Sequence, residues 1–505
     1  MLQRKALTKS ILSIRRDDLL FIIIILLYCI TYATIRLLVS STMELDEAEQ
    51  FLNSSVFHLG YSNQPPLYNW LVKTAASLFG LNLVTLIIMK YSLIFLFYFV
   101  FYILTRTFWE PKEALLITGS LVLFPLYSYE FNRDLSHTIL LSVMALLTCF
   151  FYSRILINGK TIYYVLTGLS IGMGILSKYN YAFFLLALAL ASISCREGRR
   201  VIFDKRLSLT VLSAVLVLFP HFLWLIKEGF PSVYFAINKA KIGVSQSPSI
   251  VKIFSIAGTA YLDVLGFILI FLLLFYQHNM MNTKNKNLGM SLFRWLCFYG
   301  LLIPLLVIFI LQGGVFRGRW LAPVLFTLPF AMFSMTDLHI VGGLRSKIFG
   351  FLCAFIVVAL LIMRMCIGFM PDLVNKVERV HIPFKEISLS LSSLLKDKEN
   401  FGARDLFVIS DDAYIAANIM AWLPGTKFIS LESLAGDISV QNEVYKNGGI
   451  LVWDGKKLGE NVPKSFLRVC PSAVPLKLLK LPYSRSKKFG LYVLGVATVP
   501  KMNDK

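Results

Sequence analysis

Apolar residues recur along this chain in blocks of about twenty, the length of helix that crosses a ~30 Å hydrocarbon layer. Charged residues gather between the blocks. In order, the blocks predict spanning helices near 19–39, 84–104, 114–128, 137–153, 162–177, 180–195, 208–226, 255–276, 295–311, 320–336 and 348–368. The first block follows a basic segment, as a signal peptide would. It is too long for a signal h-region, however, and no small-residue cleavage pattern follows it, so it reads as a retained anchor. Beyond Phe369 the texture changes. Short apolar runs at 406–410, 427–431, 449–453 and 490–494 predict strands, and 412–423 predicts a helix between the first two. The expectation is a polytopic α-helical membrane protein with about eleven transmembrane helices. Its transmembrane domain would cover 1–369, with a first exported loop at 40–83, and a small periplasmic α/β domain would occupy 370–505.

Composition excludes a single soluble core: 57% of residues are hydrophobic and only 16% charged, where soluble domains carry about 25% charge. The net charge of +21 is mostly a topology signal. With a cytoplasmic N-terminus, the cytoplasmic segments hold 19 Lys and Arg residues and the opposite loops before residue 369 hold 9, as the positive-inside rule requires. Affinity for anionic lipid accounts for the remaining positive charge, and nucleic acid need not be invoked. Six of the seven cysteines fall in or beside spans, so the exported domain, with Cys470 alone, cannot staple itself internally.

Acidic residues are scarce here, yet Glu44, Asp46, Glu47 and Glu49 sit within six positions directly after the first span. One reading is a solvated helix N-terminus, where carboxylates suit the macrodipole. The Gln64-Pro65-Pro66-Leu67 turn adds a second. It would fold the loop back over the bilayer and lay Trp70, Leu71, Leu78 and Phe79 along an interfacial amphipathic helix.

Asp46-Glu47-Ala48, Gly60-Tyr61, Gln64-Pro65-Pro66-Leu67 and Trp70 together resemble the first periplasmic loop of the C-type-fold (GT-C) glycosyltransferases. The resemblance is nearest to the branch of protein O-mannosyltransferases and bacterial aminoarabinose and galacturonic acid transferases. It extends to the segment Asn132-Arg133-Asp134-Leu135-Ser136-His137-Thr138, to Gly172 through Tyr179, and to Arg317-Gly318-Arg319-Trp320. Order, spacing and topology match over about 19–370, and the tail matches only in kind. Such enzymes take a sugar from a polyprenyl phosphate and attach it to an acceptor outside the membrane. The resemblance implies Asp46 as catalytic base, supported by Glu47 and Asp134, with Tyr61, Gln64, Pro65, Pro66 and Trp70 forming the substrate loop. Glycosyl transfer from a phosphate does need a carboxylate for the acceptor proton and cations for the leaving group. The chain departs from the aminoarabinose transferases at Gln64, where they carry a Lys.

Cations that break the positive-inside rule supply the phosphate-binding candidates: Lys178, Lys239, Lys241, Arg317 and Arg319. Headgroup snorkelling is the competing reading for Lys239 and Lys241. Arg317 and Arg319 are favoured, because Gly313, Gly314 and Gly318 let the backbone approach a ligand and Arg binds phosphate bidentately. His137 could join a metal or hydrogen-bond cluster with Asp46 and His58, or simply cap its span. Cofactors are none certain, with a divalent metal as the open alternative. Gly168, Gly172 and Gly174 read as close helix packing. Lys90 and Asp263 lie inside spans, where an ionisable group signals a site. Asp411-Asp412 could touch an acceptor, although a helix N-cap also explains Asp412.

The reading is an inverting glycosyltransferase of a bacterial inner membrane. Its partners would be a polyprenyl-phosphate sugar and a periplasmic acceptor, lipid A or lipopolysaccharide core. The rivals are a transporter or glycolipid flippase, which would show midplane charges and repeats, and a polysaccharide polymerase. The topology has a direct check. A periplasm-active reporter fused after Lys396 is expected to be active, and one fused after Arg200 silent; the reverse pattern would overturn the scheme.

Overall fold

The computed structural model describes residues 15–241, 250–275, 290–310, 316–335, 343–396 and 406–501. These form two compact units. The first takes residues up to Tyr32, His58–Leu71 and Met89–Leu360; the second takes Ala33–Phe57, Val72–Ile88 and the chain from Leu361.

Among the described residues, seven helices are long and apolar enough to cross a membrane: Arg16–Val39, Leu83–Arg106, Ser136–Asn158, Leu207–Glu228, Ile253–Phe275, Met290–Ile310 and Leu344–Phe369. Two bent pairs raise the number to nine. Pro111–Leu123 turns through 82° into Leu126–Arg133, and Tyr181–Ser194 turns through 111° into Arg196–Ile202. The other two expected spans are the 17-residue helix Thr161–Ser177 and a broken segment. In place of one helix at 320–336 the chain makes Gly318–Leu321, Ala322–Leu325 and Thr327–Phe333. All eleven expected positions carry helix, but not eleven straight spans. Proline accounts for the first bend and the broken segment, since it donates no hydrogen bond and clashes with the preceding turn; the 111° bend at Cys195 contains none. Pro125 sits at the first bend, and Pro323 and Pro329 divide the broken segment.

In the first unit, Ser136–Asn158 is the most enclosed of the long helices, with Ile139, Leu140, Leu141 and Val143 wholly buried. It packs on Thr161–Ser177, which packs in turn on Leu207–Glu228. Glycine sets that second contact. A Cβ at Gly168 would lie 2.0 Å from Ser213 Oγ and 2.1 Å from the Thr210 carbonyl oxygen, and one at Gly172 would lie 2.9 Å from the Ala214 carbonyl oxygen. The expected packing role of these glycines is what the fold contains. Leu216, Leu262 and Phe351 stand exposed on their helices, as side chains facing lipid do.

The second unit holds a six-stranded sheet. β1 (Phe407–Ser410), β2 (Lys427–Ser430) and β3 (Gly449–Asp454) run parallel in the order β2-β1-β3. β6 (Leu491–Val499) runs antiparallel to β3 and carries β4 (Val474–Pro475) and β5 (Leu479–Pro482) on its other edge. Trp453, Phe407, Leu451, Phe466 and Val499 pack in its core, and Gly495 leaves the room that the Trp453 indole fills. Asp412 caps the Ala413–Met420 helix by accepting from the Tyr414 N–H at 2.9 Å.

Gly168→Ala is expected to overpack the Thr161–Ser177/Leu207–Glu228 contact, at a cost of ~1–3 kcal/mol. Thermal unfolding of the purified protein in detergent should register a lower midpoint. An unchanged midpoint would mean the two helices do not meet there.

Candidate active site

Two groups of polar residues stand out, one in each unit. In the first unit the site is built at a break. After Pro125 the chain makes one π-helical turn, Leu126–Glu130, then three helical residues, and stops at Asp134. Leu135 is left-handed, at φ 71° and ψ 34°. For a residue with a γ-branched side chain this conformation costs ~1–3 kcal/mol and persists only where its surroundings enforce it. The surroundings do enforce it. The Asp134 N–H donates to the Glu130 carbonyl at 2.8 Å, and Asn132 Nδ2 donates to Tyr28 Oη at 2.6 Å and to the Ser128 carbonyl at 2.8 Å. Lys90, buried within its helix, reaches the Asn132 carbonyl at 3.3 Å.

This break walls a cleft of about 330 Å³, lined by Pro125, Leu126, Glu130, Leu135, Asp263, Arg317, Gly318 and Arg319. Arg317 is exposed and Arg319 half-buried. The cleft is therefore lined by two arginines and two acidic residues, from three segments far apart in sequence. Asp263 joins Arg317 and Arg319 as its position within a span suggested. Glu130 was not anticipated, because in the sequence it is one acid among loop residues.

Other expected residues gather beside the same break. Lys178 donates from Nζ to Thr138 Oγ1 at 2.9 Å, so its ammonium is tied to the 132–138 segment; it is not among the residues lining the arginine cleft. His137 has Nδ1 3.2 Å from the Ser177 carbonyl oxygen, and its ring centroid lies 5.2 Å from that of Tyr68. Among the described residues, no group of three His, Cys, Asp or Glu side chains is placed to hold a metal ion. The substrate loop folds on itself and on its neighbours. Trp70 Nε1 donates to the His58 carbonyl at 2.8 Å. His221 holds the Leu59 carbonyl through Nδ1 at 2.9 Å, with Nε2 2.9 Å from Tyr179 Oη. Gly60 lies so close to Trp224 that a Cβ would meet the indole at 2.1 Å. Tyr61, Pro65 and Pro66 are buried and Gln64 is half-buried. Burial raises the Tyr61 phenol above its ordinary pKa. The helix Leu67–Phe79 follows the turn, with Leu78 and Phe79 exposed at its end. Lys239 and Lys241 ride on the Pro231–Lys241 helix, but their side chains, like Gly313 and Gly314, lie outside the described residues.

In the second unit the acidic loop is a set of ion pairs. Glu47 is buried and takes Arg36 in a bidentate grip, with Nη2 to Oε2 at 2.5 Å and Nε to Oε1 at 3.2 Å. Arg36 also donates to the Ser40 and Thr42 carbonyls, at 3.0 and 2.6 Å. Glu47 in turn accepts from the Glu44 N–H at 2.8 Å. Glu44 pairs with Arg364 at 3.4 Å, and Arg364 with Glu378 at 3.1 Å. Asn418 binds Met43 from both sides, accepting its N–H at 2.8 Å and donating to its carbonyl at 3.5 Å. Asp46 lies between these anchors on the Leu45–Asn53 helix, half-exposed. Glu47 thus supports the loop by fixing its fold. The sequence did hold a signal for Arg36 and Arg364, which are guanidinium groups inside apolar spans and demand partners.

Glu44→Gln leaves the buried Arg364 with a weakened charge balance. Arg364 keeps Glu378 as counter-ion, so the expected loss of stability is that of one charged hydrogen bond, ~1.5–3 kcal/mol. Thermal unfolding in detergent measures it, and a midpoint equal to wild type would show Glu44 to be dispensable.

Residues 63–224 match the family described as dolichyl-phosphate-mannose-protein mannosyltransferase. Two proteins of Rhizobium johnstonii are similar in sequence. Lipopolysaccharide core galacturonosyltransferase RgtA is 26% identical over 94% of this chain and 95% of its own. Lipopolysaccharide core galacturonosyltransferase RgtB is 29% identical over 63% of this chain, a match spanning 65% of that relative's length. The crystal structure of ArnT from Cupriavidus metallidurans bound to undecaprenyl phosphate superposes with a TM-score of 0.58 at 13% identity, covering 96% of this chain and 99% of that one. Its apo form superposes at 0.56 and 12% identity, over 94% and 99% of the two chains. At such identities the superposition speaks for fold, and the sequence matches show that this chain, a multi-pass membrane protein, is similar to C-type-fold (GT-C) glycosyltransferases.

Proposed function

We propose that this chain moves a sugar from a polyprenyl-phosphate donor to lipopolysaccharide core or lipid A, at the outer face of a bacterial inner membrane. The observation that carries the reading is the cleft that joins Arg317 and Arg319 to the strained turn at Leu135. Two guanidinium groups in one cleft suit a phosphate oxygen set, which they can meet bidentately. Glu130 and Asp263 line the same cleft, so a donor phosphate held by the two arginines would have acidic groups beside it. The activities of the relatives, galacturonosyl transfer to lipopolysaccharide core, and undecaprenyl phosphate in the ArnT crystal support the donor and acceptor classes. The same support favours a transferase over a transporter.

In this reading Asp46 accepts the proton of an acceptor hydroxyl as that oxygen attacks the anomeric carbon, with inversion. The bond to the phosphate oxygen breaks, and Arg317 and Arg319 balance the charge that grows on the leaving phosphate. Glu47 acts through Arg36, holding the helix that bears Asp46, and Asp134 acts through the turn it terminates. Tyr61, Gln64, Pro65, Pro66 and Trp70 shape the substrate loop. The N-terminus lies in the cytoplasm, and the first loop and the sheet lie in the periplasm.

The test is transfer from a polyprenyl-phosphate sugar by purified variants. Asp46→Asn is expected to lose ~10²–10⁴ in turnover, the range of general acid–base catalysis. Arg317→Lys and Arg319→Lys should each cost ~10-fold or more in turnover, because Lys cannot reproduce the planar fork. Donor KM should change less, since charge builds on the phosphate only as the bond breaks. Wild-type turnover in Asp46→Asn would remove it as base, and wild-type turnover in both lysine variants would remove the arginine grip.

A further inference from the structure

The sheet of the second unit contains a crevice that the transfer chemistry above does not use. β1 connects to β2 on one side, and the chain then returns to place β3 on the other side of β1. Between the carboxyl ends of β1 and β3 the strand order reverses. In open α/β sheets this is where ligands bind, because the departing loops diverge and leave a gap. Here the gap is a pocket of about 380 Å³. Asp412, two residues beyond β1, and Asp454, the last residue of β3, both line it.

The pocket's chemistry is specific. Its carboxylates are already committed within the protein. Asp412 accepts from the Tyr414 N–H at 2.9 Å. Asp454 accepts from the Lys456 and Lys457 N–H groups at 2.9 and 3.3 Å. Glu378 is paired with Arg364 and Lys376. Two of the cations are held differently. Arg379 lies over the Tyr414 ring at 6.0 Å, and Lys456 over the Tyr483 ring at 5.0 Å. Both are exposed, so the rings orient their charges without neutralising them. Tyr483, half-buried, lines the same pocket beside Lys456, with the buried Tyr492 ring 6.0 Å from its own. Aromatic faces next to unneutralised cations match a hydroxylated ring that carries a carboxylate or phosphate.

The pocket also borders the candidate base. Leu45, the residue before Asp46, is part of its lining, and the Leu45–Asn53 helix packs on the Ala413–Met420 helix that leaves β1. A ligand seated there lies beside the start of the helix that carries Asp46.

We infer that this crevice is the acceptor-glycan subsite, binding an anionic saccharide through Arg379 and Lys456 and delivering a neighbouring hydroxyl toward Asp46. The inference rests on the transferase reading for its biological use, but binding can be tested without it. The probe is saturation-transfer NMR on the full-length protein in detergent, with galacturonic acid, glucose 6-phosphate and neutral galactose as ligands. Both anionic sugars should give signal and galactose ~10-fold less, the weight of one charge-assisted contact. Arg379→Gln and Lys456→Gln should each reduce the anionic signal, and the double variant should abolish it. Lys446→Gln, at an exposed cation that does not line the pocket, should leave the signal in place, which separates this pocket from general surface charge. In transfer assays the single variants should raise acceptor KM ~10-fold with turnover and donor KM unchanged. Equal signal from galactose, or full signal in the double variant, would overturn the inference. Should the double variant be unstable, full anionic signal in both single variants would overturn it equally. If the pocket binds anionic sugars but the wild type transfers nothing, the transferase reading falls and the binding site stands. If transfer proceeds with acceptor KM unaffected, the subsite falls alone.

Discussion

Arg36 is a guanidinium buried near the end of an apolar helix, with 4% of its surface exposed. An unpaired charge in that position would be prohibitive, and pairing it dictates the path of the chain beyond the helix. Glu47 must come within reach, and the Ser40 and Thr42 carbonyls must turn inward to complete the guanidinium's hydrogen bonds. The helix bearing Asp46 therefore has to begin where it does. Arg364 repeats the constraint from another helix, drawing in Glu44 and Glu378. Loop residues that look like one solvated acidic cluster thus separate by role. Glu44 and Glu47 are buried counter-ions, and Asp46 is left half-exposed at the loop's surface.

The first unit obeys a second constraint, that backbone broken inside an apolar region must find partners. Pro125 ends one helix and the π-turn begins another at 82°. The backbone groups freed by this break are met by Lys90, Tyr91 and the Glu130 carbonyl. Such a break costs stability, and a left-handed Leu135 adds to the cost. What the distortion provides is a wall for the arginine cleft, with Glu130 and Leu135 turned to the same side as Asp263, Arg317 and Arg319. Strain stored beside a cluster of charges is the usual mark of a site under functional demand.

Much of this is legible in the order of residues alone. Hydrophobic blocks locate the helices of the membrane-spanning region, because a ~30 Å apolar layer permits few alternatives to an apolar helix. Alternation and turn residues locate β1, β2, β3 and β6, and Asp412 is legible as a cap. The short β4 and β5 are not, since two to four residues of pairing leave almost no periodic signal. The straight spans expected at Pro125, Pro323 and Pro329 are broken instead, because an apolar run hides a broken backbone. Gly168 and Gly172 do show their packing role, because a helix can bring a neighbour so near only where it lacks side chains.

The sequence by itself determined the class of the molecule, its membrane-spanning region and the pool of charged residues from which a site could be drawn. These come from composition and period, which are properties of neighbours along the chain. Which of those charges are buried in pairs and which share a cleft was decided only by tertiary structure. Glu47 and Asp46 are adjacent in sequence and alike in chemistry, yet one is consumed by Arg36 and the other is left half-exposed. Glu130, Asp263 and Arg317 are separated by more than fifty residues at each step, yet they share one cleft. A charge's role is set by what pairs with it and how far water is excluded. Both depend on residues brought together from distant parts of the chain, and local sequence carries no record of them.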